Sequence, residues 1–317
     1  MKIGTIAIIG SGLIGRAWAI TFARAGRAVR VYDSDASARD AALGTIETLL
    51  ADLETYDLLN GASAQAVMAR ISGASSLEAA LDGADYVQEC TPENLSLKKD
   101  VFGALDAAAA SQTLLASSTS ALLPSRFTER LKGRARCLVV HPINPPYLVP
   151  AVEVVPAPWT DPKVVAAVAA FMREVGQSPI VMKKEIDGFV MNRLQGALLK
   201  EAFRLVADGY ASTEDVDIGI RDGLGLRWAF MGPYETIDLN APGGVRDYIA
   251  RYGPLFDNLW STQTGEVTWA GAMIDQFEAE RNEQLPREEL AARQRWRDRR
   301  LMALLAHKKA AARNVGD

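Results

Sequence analysis

A histidine and a glutamate form the strongest candidate for chemistry in this sequence. His141 ends the apolar run 138–141, and Glu153 stands 12 residues later between two valines. A carboxylate among apolar residues needs a partner, because an unpaired buried charge is costly. We therefore predict a dyad in which Glu153 orients the imidazole and stabilises its positive charge while His141 acts as a general base. The alternative is a core histidine beside an unrelated glutamate.

A glycine-rich segment, Gly10-Ser11-Gly12-Leu13-Ile14-Gly15, follows an apolar stretch near the start of the chain. In such a motif Gly10 permits a tight turn, Gly12 lets the backbone approach a pyrophosphate, and Gly15 allows close packing of helix and strand. Asp33 lies 18 residues after Gly15, where a carboxylate accepts hydrogen bonds from ribose hydroxyls. The motif predicts a site for NAD rather than NADP, because a ribose phosphate would meet a like charge. A glycine turn in an unrelated α/β domain, or an FAD site, is the alternative.

Alternating strands and helices are predicted to position these residues. The strands are expected at 3–9, 29–33, 85–90, 113–117, 138–141, 152–155 and 180–182. The helices are expected at 16–24, 36–70, 97–110, 162–175, 188–208, from a capping box at 212–215 to 223, and at 288–309. This alternation predicts an α/β fold with a Rossmann-type, doubly wound, mainly parallel sheet over 1–184. Few strand signals follow, so residues 185–317 are predicted to form an all-helical C-terminal domain.

Composition and charge limit the functions open to the chain. Of 317 residues, 49% are hydrophobic and 23% charged, which is ordinary globular usage. A net charge of −4 offers no broad positive field for nucleic acid or anionic lipid, so a small-molecule partner is favoured. The two cysteines, Cys90 and Cys137, lie 47 positions apart and suggest neither a disulfide framework nor a metal site. Without a long apolar stretch, we predict a cytoplasmic protein that does not bind membranes.

Seven segments carry a family resemblance over nearly the full length of the chain. They are GSGLIGRAWA (10–19), QECTPENLSLKK (88–99), SSTSALLPS (117–125), HPINPPYLVPAVEVVP (141–156), GFVMNRLQ (188–195), GLGLRWAFMGPYETIDLN (223–240) and LAARQRWRD (290–298). In this order they resemble the L-3-hydroxyacyl-CoA dehydrogenase superfamily. Within that superfamily the chain is most similar to the lambda-crystallin, or L-gulonate 3-dehydrogenase, branch.

The resemblance implies four catalytic residues. His141 matches the general base and Glu153 matches its orienting carboxylate. Ser120 matches a serine that hydrogen-bonds the substrate oxygen, and Asn192 matches an asparagine that completes the site from the second domain. Outside this context, Ser120 is more typical of a turn or helix cap, and Asn192 of an ordinary helix position.

Two further residues are predicted to lie near the cofactor. Glu93 matches a family glutamate near the nicotinamide and the histidine, whereas from sequence alone it is equally an acid at a helix start before Lys98 and Lys99. Ser118, in the serine-rich segment, is predicted to contact NAD.

The substrate branch is suggested by two features. Segment 36–70, where acyl-CoA enzymes of the family carry a lysine-rich helical arm, has five acids and two bases here. The excess of acidic side chains would repel the phosphates of a CoA nucleotide. The loop 225–233 resembles the lambda-crystallin form, and in it Arg227 is predicted either to bind a substrate carboxylate or to make a subunit contact.

The resemblance as a whole implies NAD-dependent oxidation of the 3-hydroxyl of a small hydroxy acid, most like the conversion of L-gulonate to 3-dehydro-L-gulonate. The alternatives are an L-3-hydroxyacyl-CoA dehydrogenase, a carnitine-type 3-hydroxy acid dehydrogenase and a non-catalytic structural protein. The family also implies a homodimer formed through the helical domain. Aromatic residues that either line such a contact or belong to the core are Tyr234, Tyr248, Tyr252, Phe256, Trp260 and Trp269.

Overall fold

An eight-stranded sheet organises the N-terminal part of the chain in the computed structural model, which describes residues 3–263 and 270–316. Its strands are β1 (Thr5–Ile9), β2 (Ala28–Tyr32), β3 (Ile71–Gly73), β4 (Tyr86–Glu89), β5 (Leu114–Ser117), β6 (Cys137–Pro142), β7 (Ala151–Pro156) and β8 (Ser178–Val181). They lie in the order β3-β2-β1-β4-β5-β6-β7-β8. Every pair is parallel except β6 and β7. The predicted doubly wound, mainly parallel sheet is confirmed.

Helices connect the strands and make up the described secondary structure after them. The first seven are α1 (Leu13–Arg24), α2 (Ala36–Thr55), α3 (Ala64–Met68), α4 (Leu77–Leu81), α5 (Leu95–Ala108), α6 (Pro124–Thr128) and α7 (Pro162–Glu174). The others are α8 (Met191–Ala207), α9 (Thr213–Ile218), α10 (Gly225–Trp228), α11 (Pro233–Leu239), α12 (Gly244–Thr262), α13 (Ala272–Gln284) and α14 (Leu290–Val315). A π-helical segment, Gly219–Leu224, joins α9 to α10. Short 3₁₀ turns lie at Arg134–Arg136 and Arg287–Glu289.

The chain divides into two compact units. The first contains residues up to Met191 together with 298–310, and the second contains 192–297 and the residues from 311 onward. The sheet lies in the first unit, and the described secondary structure of the second is helical. The domain division after Lys184 stays a prediction. The terminal helix α14 contributes its central part to the first unit.

Two apolar clusters lie on the two faces of the sheet because side chains alternate along each strand. Ile6 and Ile8 of β1 belong to the first cluster, and Ala7 and Ile9 to the second. Aromatic rings fill the first cluster between α1, β4 and α7: Trp18, Phe22, Tyr86 and Phe171. Strands that are buried on both faces explain the continuous apolar runs of the sequence.

The predicted helical segment 36–70 is wrong in its length. Helix α2 ends at Thr55, and a turn follows in which Asp57, Asn60 and Gly61 have φ values of 53°, 56° and 79°. Such left-handed positions end a helix, and an Asn-Gly pair tolerates them well. The short strand β3 follows at the sheet edge and was not predicted.

The helical signals of the C-terminal half are confirmed more closely. Ser212 and Asp215 form the predicted reciprocal capping box at the start of α9. The predicted helix 288–309 is observed as α14, whose Met302 is buried in the first apolar cluster. Among the helices of the described residues, none is long and apolar enough to cross a membrane.

Candidate active site

The glycine loop joins β1 to α1 and allows unusually close backbone contacts. Gly10 has a φ of 101°, and a Cβ there would lie 2.7 Å from the Cys90 carbonyl oxygen. A Cβ at Gly15 would collide with the Gly10 carbonyl oxygen, so only glycine permits this packing. Gly12 immediately precedes α1, and a Cβ on it would meet open space. The amides at the start of α1 are therefore accessible to an anion such as a pyrophosphate.

A cavity of about 660 Å³ opens beside this loop. Its wall includes Gly12, Asp33 and Thr91. Leu13, the first residue of α1, is exposed, whereas Ile14 packs against the first apolar cluster. The loop and the end of β2, which the sequence predicts to share a dinucleotide, thus meet at one cavity.

Asp33 is held in place by the loop that it faces. Its Oδ2 accepts hydrogen bonds from the Ser11 amide and hydroxyl, both at 2.8 Å, and its Oδ1 accepts one from the Asp35 amide at 3.0 Å. Partial burial acts to raise the pKa of Asp33, but these hydrogen bonds outweigh it and lower the pKa below the usual value. Oδ1, which accepts one hydrogen bond, retains acceptor capacity. An ionised acceptor at the cavity wall fits the ribose of NAD.

His141 and Glu153 form a buried pair at the carboxyl end of β6. The antiparallel register places them directly opposite each other on β6 and β7. His141 Nδ1 lies 2.7 Å from Glu153 Oε2, and the two residues are 6% and 0% exposed. Because an ionised carboxylate only accepts, Nδ1 carries the proton and the Nε2 lone pair stays available. The Phe189 ring packs at a centroid distance of 5.6 Å from the imidazole.

Glu153 also binds the backbone at the start of α8, a contact that sequence reasoning missed. Its Oε1 accepts hydrogen bonds from the amides of Val190 and Met191 at 2.6 and 2.8 Å. Gly188 and Phe189 have positive φ values of 76° and 48°, and this turn directs the next two amides at one oxygen. Consecutive amides in such a turn form an anion-binding concavity. The carboxylate is therefore fully partnered despite its burial. In the sequence, the Gly188-Phe189 pair was the available signal for this turn and its contact with Glu153.

The hydroxyl of Ser118 is engaged inside the protein. It accepts hydrogen bonds from Trp18 Nε1 at 3.1 Å and Gln88 Nε2 at 2.7 Å, and it lies 3.2 Å from Cys90 Sγ. The two N–H donors fill both of its lone pairs. A contact of Ser118 with the cofactor stays a prediction. Because the hydroxyl oxygen is already engaged, such a contact would have to be made by other atoms of Ser118.

Glu93 is bonded to the serine-rich loop. Its Oε1 accepts a short hydrogen bond from Thr119 Oγ1 and one from the Ala121 amide at 3.2 Å. The residues on both sides of Ser120 are thus tied to a single carboxylate. Asn94, rather than Glu93, caps α5, so Glu93 does more than begin a helix. Its predicted place near the nicotinamide stays a prediction.

The remaining predicted site residues lie in the second unit. Asn192 is the second residue of α8, and Arg227 lies in α10. Their predicted roles toward the substrate stay predictions.

The predicted contact aromatics form a row along α12. The Tyr248 ring is tilted against Tyr252 and stacked with Phe256, at centroid distances of 4.8 and 6.3 Å, and Phe256 lies 6.3 Å from Trp260. Tyr234 is exposed in α11. Trp269 lies outside the described residues. Tyr252 and Trp260 are exposed and Tyr248 and Phe256 are half-buried, so none of the four is a fully buried core residue.

Asn144 is a further candidate that sequence reasoning missed. It lies three residues after His141, and its Oδ1 is buried without a hydrogen-bond partner within residues 3–263 and 270–316. A buried unsatisfied acceptor costs free energy, which a donor on a ligand would recover. The asparagine in the predicted turn after the histidine was the available signal.

Cys90 lines the cavity beside the glycine loop, and we expect its thiol to be unreactive. Burial raises the pKa of Cys90 to about 12. At pH 8 the thiol then strongly predominates over the thiolate, which is the reactive form. We expect iodoacetamide at pH 8 to leave Cys90 unlabelled in the native protein and to label it after denaturation, as peptide mass spectrometry will show. Rapid labelling of the native protein would contradict this environment.

Comparisons with known proteins agree with this geometry. The family model described as 3-hydroxyacyl-CoA dehydrogenase, NAD binding domain, matches residues 5–186, and that of the C-terminal domain matches 188–264. The lambda-crystallin homolog of Mus musculus is 44% identical over 95% of each chain. The L-carnitine dehydrogenase of Pseudomonas putida is 36% identical over 99% of this chain and 97% of its own.

A solved structure extends the likeness to three dimensions. The NAD-dependent enzyme 5-formyl-3-hydroxy-2-methylpyridine 4-carboxylic acid 5-dehydrogenase superposes with a TM-score of 0.80 at 29% identity, covering 96% of this chain and 97% of its own. The family models together span most of the chain, and the glycine loop, Asp33 and the cavity fit the cofactor that the first of them binds. The chain therefore belongs to the 3-hydroxyacyl-CoA dehydrogenase family and is an NAD-dependent oxidoreductase.

Proposed function

We propose that the protein oxidises the 3-hydroxyl of a small, free hydroxy acid, most like L-gulonate. The observation that carries this proposal is the buried pair of His141 and Glu153, because its geometry leaves Nε2 as a proton acceptor at the carboxyl edge of the sheet. Open α/β sheets bind their ligands at that edge. A base at this place suits removal of a hydroxyl proton.

The chain's own residues would divide the chemistry as follows. His141 Nε2 takes the hydroxyl proton, and Glu153 stabilises the imidazolium that forms. NAD, when bound, supplies the acceptor for the hydride that leaves the carbinol carbon. Ser120 and Asn192, in the roles that the family resemblance implies, donate hydrogen bonds to the developing carbonyl oxygen.

The charge of α2 supports a free acid rather than a CoA ester. The helix and the turn after it are acid-rich, and Asp52 lies 3.6 Å from Arg299 of α14. Met302 of α14 shares a buried cluster with Leu50 and Leu53 of α2. The one surface ion pair stabilises little by itself. The acidic charge of the segment carries the argument, because it would repel the phosphates of a CoA nucleotide.

The test is NADH formation by the purified protein with NAD and four candidate substrates. We expect turnover of L-gulonate, with L-3-hydroxybutyryl-CoA inert and L-3-hydroxybutyrate slow. L-carnitine is the second candidate, because an L-carnitine dehydrogenase is among the similar proteins. Preference for the CoA ester would overturn the argument from α2. Absence of turnover with all four would favour a non-catalytic role.

Asp33 is expected to set both the affinity and the choice of cofactor. In Asp33→Ala the Kd of NAD, measured by fluorescence titration, should rise about 10- to 100-fold. Hydrogen bonds to a charged group contribute about 1.5–3 kcal/mol, and each 1.4 kcal/mol is tenfold. The preference for NAD over NADP should fall, since the repelling charge is gone. Asp40→Ala, an exposed acid paired with Arg39, is the matched control. An unchanged ratio of the two affinities would contradict the assignment.

A homodimer through the second unit is part of the proposal. Among the residues of that unit whose side chains the structure describes, only Val206, Thr236 and Ala241 are buried. Large apolar side chains of α12 lie exposed instead: Val245, Ile249, Tyr252, Leu255, Leu259 and Trp260. So much exposed apolar surface on one helix marks an interaction site. Burial against a second copy would supply the core that the unit lacks.

Light scattering after size exclusion is expected to give twice the chain mass of 34.3 kDa. Leu255→Asp should shift the protein to monomer and lower its helical circular dichroism, because the helices lose their apolar contacts. Asn258→Asp, on the same helix, should leave both unchanged. A stable, fully helical wild-type monomer at micromolar concentration would rule out the dimer.

The absence of paired cysteines among the described residues supports a reducing, cytoplasmic location.

A further inference from the structure

A second buried ion pair, between Glu89 and Lys98, has no part in the chemistry described so far. Glu89, the last residue of β4, is 0% exposed, and Lys98, in the first turn of α5, is 1% exposed. Lys98 Nζ lies 2.7 and 2.9 Å from the two carboxylate oxygens of Glu89 and donates a third hydrogen bond to the Thr91 carbonyl at 2.9 Å. All three ammonium protons are therefore used within the protein.

The Glu89 carboxylate gathers donors from two loops. Its Oε1 accepts hydrogen bonds from the Thr91 amide at 2.6 Å and from the Thr91 hydroxyl. Its Oε2 accepts a hydrogen bond from Ser117 Oγ at 2.6 Å. Thr91 lines the cofactor cavity, and Ser117 ends β5 directly before the serine-rich loop. One carboxylate thus holds the loop at the cofactor and the loop that carries Ser120.

The hold on the serine-rich loop continues beyond Ser117. Ser117 Oγ accepts a hydrogen bond from the Thr119 amide at 3.2 Å, and Thr119 Oγ1 donates to Glu93 while accepting from the Leu122 amide at 3.0 Å. The backbone immediately before Ser120 is therefore fixed by a chain of hydrogen bonds that starts at Glu89. Without Glu89, the Ser117 hydroxyl would have no acceptor for its proton among these contacts.

We propose that Glu89, paired with Lys98, is a positioning residue that sets the place of Ser120 through Ser117 and Thr119. Neither member of the pair touches the substrate in this proposal. A buried ion pair is weak evidence for stability, because desolvation offsets the attraction between the charges. In this proposal the pair acts by fixing the position of other groups. Misplacing a reacting or polarising group by about 1 Å costs up to 100-fold in rate. The proposal rests on the proposed function only in the role of Ser120.

The first test removes the link and leaves the ion pair. Ser117→Ala is expected to lower kcat about 10- to 100-fold, with the KM for the hydroxy acid changed less than threefold, because Ser120 is displaced mainly with respect to the transition state. Thr113→Val is the matched control. Its hydroxyl is buried at the opposite end of β5 and donates to the Ala84 carbonyl at 2.7 Å, so its loss should leave kcat unchanged.

The second test is a double-mutant cycle with Ser120→Ala. If Ser117 acts through Ser120, Ser117→Ala lowers kcat in the wild type but has little further effect in the Ser120→Ala protein. The combined variant Glu89→Gln with Lys98→Met, which leaves no unpaired buried charge, should show the same loss and the same lack of additivity. Its folding is checked by near-UV circular dichroism.

The outcomes separate this proposal from the proposed function. Additive losses, or equal losses in Thr113→Val and Ser117→Ala, would overturn the positioning role while the enzyme itself remains active. A wild-type protein that turns over none of the four substrates would instead defeat the proposed function. In that case the positioning role is tested by solution NMR. The hydrogen exchange of the Thr119 amide should be faster in Ser117→Ala than in the wild type. Unchanged exchange would overturn the proposal in that case too.

Discussion

Replacing His141 with glutamine is expected to lower kcat for hydroxy acid oxidation about 100- to 10,000-fold, the range that general base catalysis contributes. Glutamine is polar and of similar length, so the buried position stays filled and can still bond to Glu153. It has no group that takes a proton at neutral pH. The affinity for NAD, measured by titration, should remain within a few fold, because the dinucleotide cavity is lined by residues of other strands.

The pH dependence gives an independent check on His141. Oxidation of the hydroxyl releases a proton, so the wild-type rate should rise from mildly acidic to mildly basic pH. In His141→Gln the residual rate should lose this rise. A matched substitution at the second histidine, His307→Gln on α14, should preserve both the rate and its pH profile. Full activity of His141→Gln would show that another group is the base.

Glu153→Gln is expected to have an effect of similar size, although it changes one atom. Three donors converge on the carboxylate: His141 Nδ1 and the amides of Val190 and Met191. A glutamine offers one oxygen and one NH₂ group. If its oxygen accepts from the two amides, its NH₂ group faces Nδ1 and favours the tautomer with the proton on Nε2. The base then lacks its lone pair, and kcat falls about 100- to 10,000-fold.

The structure also distinguishes Glu153→Gln from Glu153→Ala. Alanine leaves the two amides at the start of α8 without an acceptor in a buried place, which costs about 1–3 kcal/mol for each group that remains unsatisfied. Glu153→Ala should therefore lower the Tm clearly, whereas Glu153→Gln should lower mainly kcat. Glu174→Gln, at an exposed pair with Arg27, serves as the control for both. Equal kcat values for Glu153→Gln and the wild type would refute the tautomer argument.

Much of the sheet could be predicted because its signals are local. Gly10 to Gly15 followed by Asp33 defines a strand, a helix and a second strand, and buried parallel strands show as continuous apolar runs. The capping box of Ser212 and Asp215 is likewise recognisable from residues close together in the sequence. The error at 36–70 arose where the local pattern stays helical while Asn60 and Gly61 turn the chain. The three-residue strand β3 is too short for any periodicity to reveal.

The site residues were found partly by chemistry and partly by resemblance. The spacing of His141 and Glu153 predicted their pairing, and their antiparallel register accounts for it. The family segments supplied Ser120 and Asn192, whose types alone carry no such information. The sequence did not predict the pair of Lys98 and Glu89, which the structure shows. Glu89 and Glu93 are four positions apart in sequence, and only the fold decides which of them the lysine reaches.

By itself, the sequence determined the fold class, the dinucleotide loop, the preference for NAD and the identity of the histidine and glutamate pair. These features depend on backbone conformations and charges that can be read from residues close together in the sequence. Only the tertiary structure decided that Glu153 also binds the amides of Val190 and Met191, and that Glu89 joins Lys98 to Ser117. The partners in those contacts lie 9 to 38 positions apart along the chain. Hydrogen bonds over such separations follow from how strands and helices pack, which no local pattern encodes.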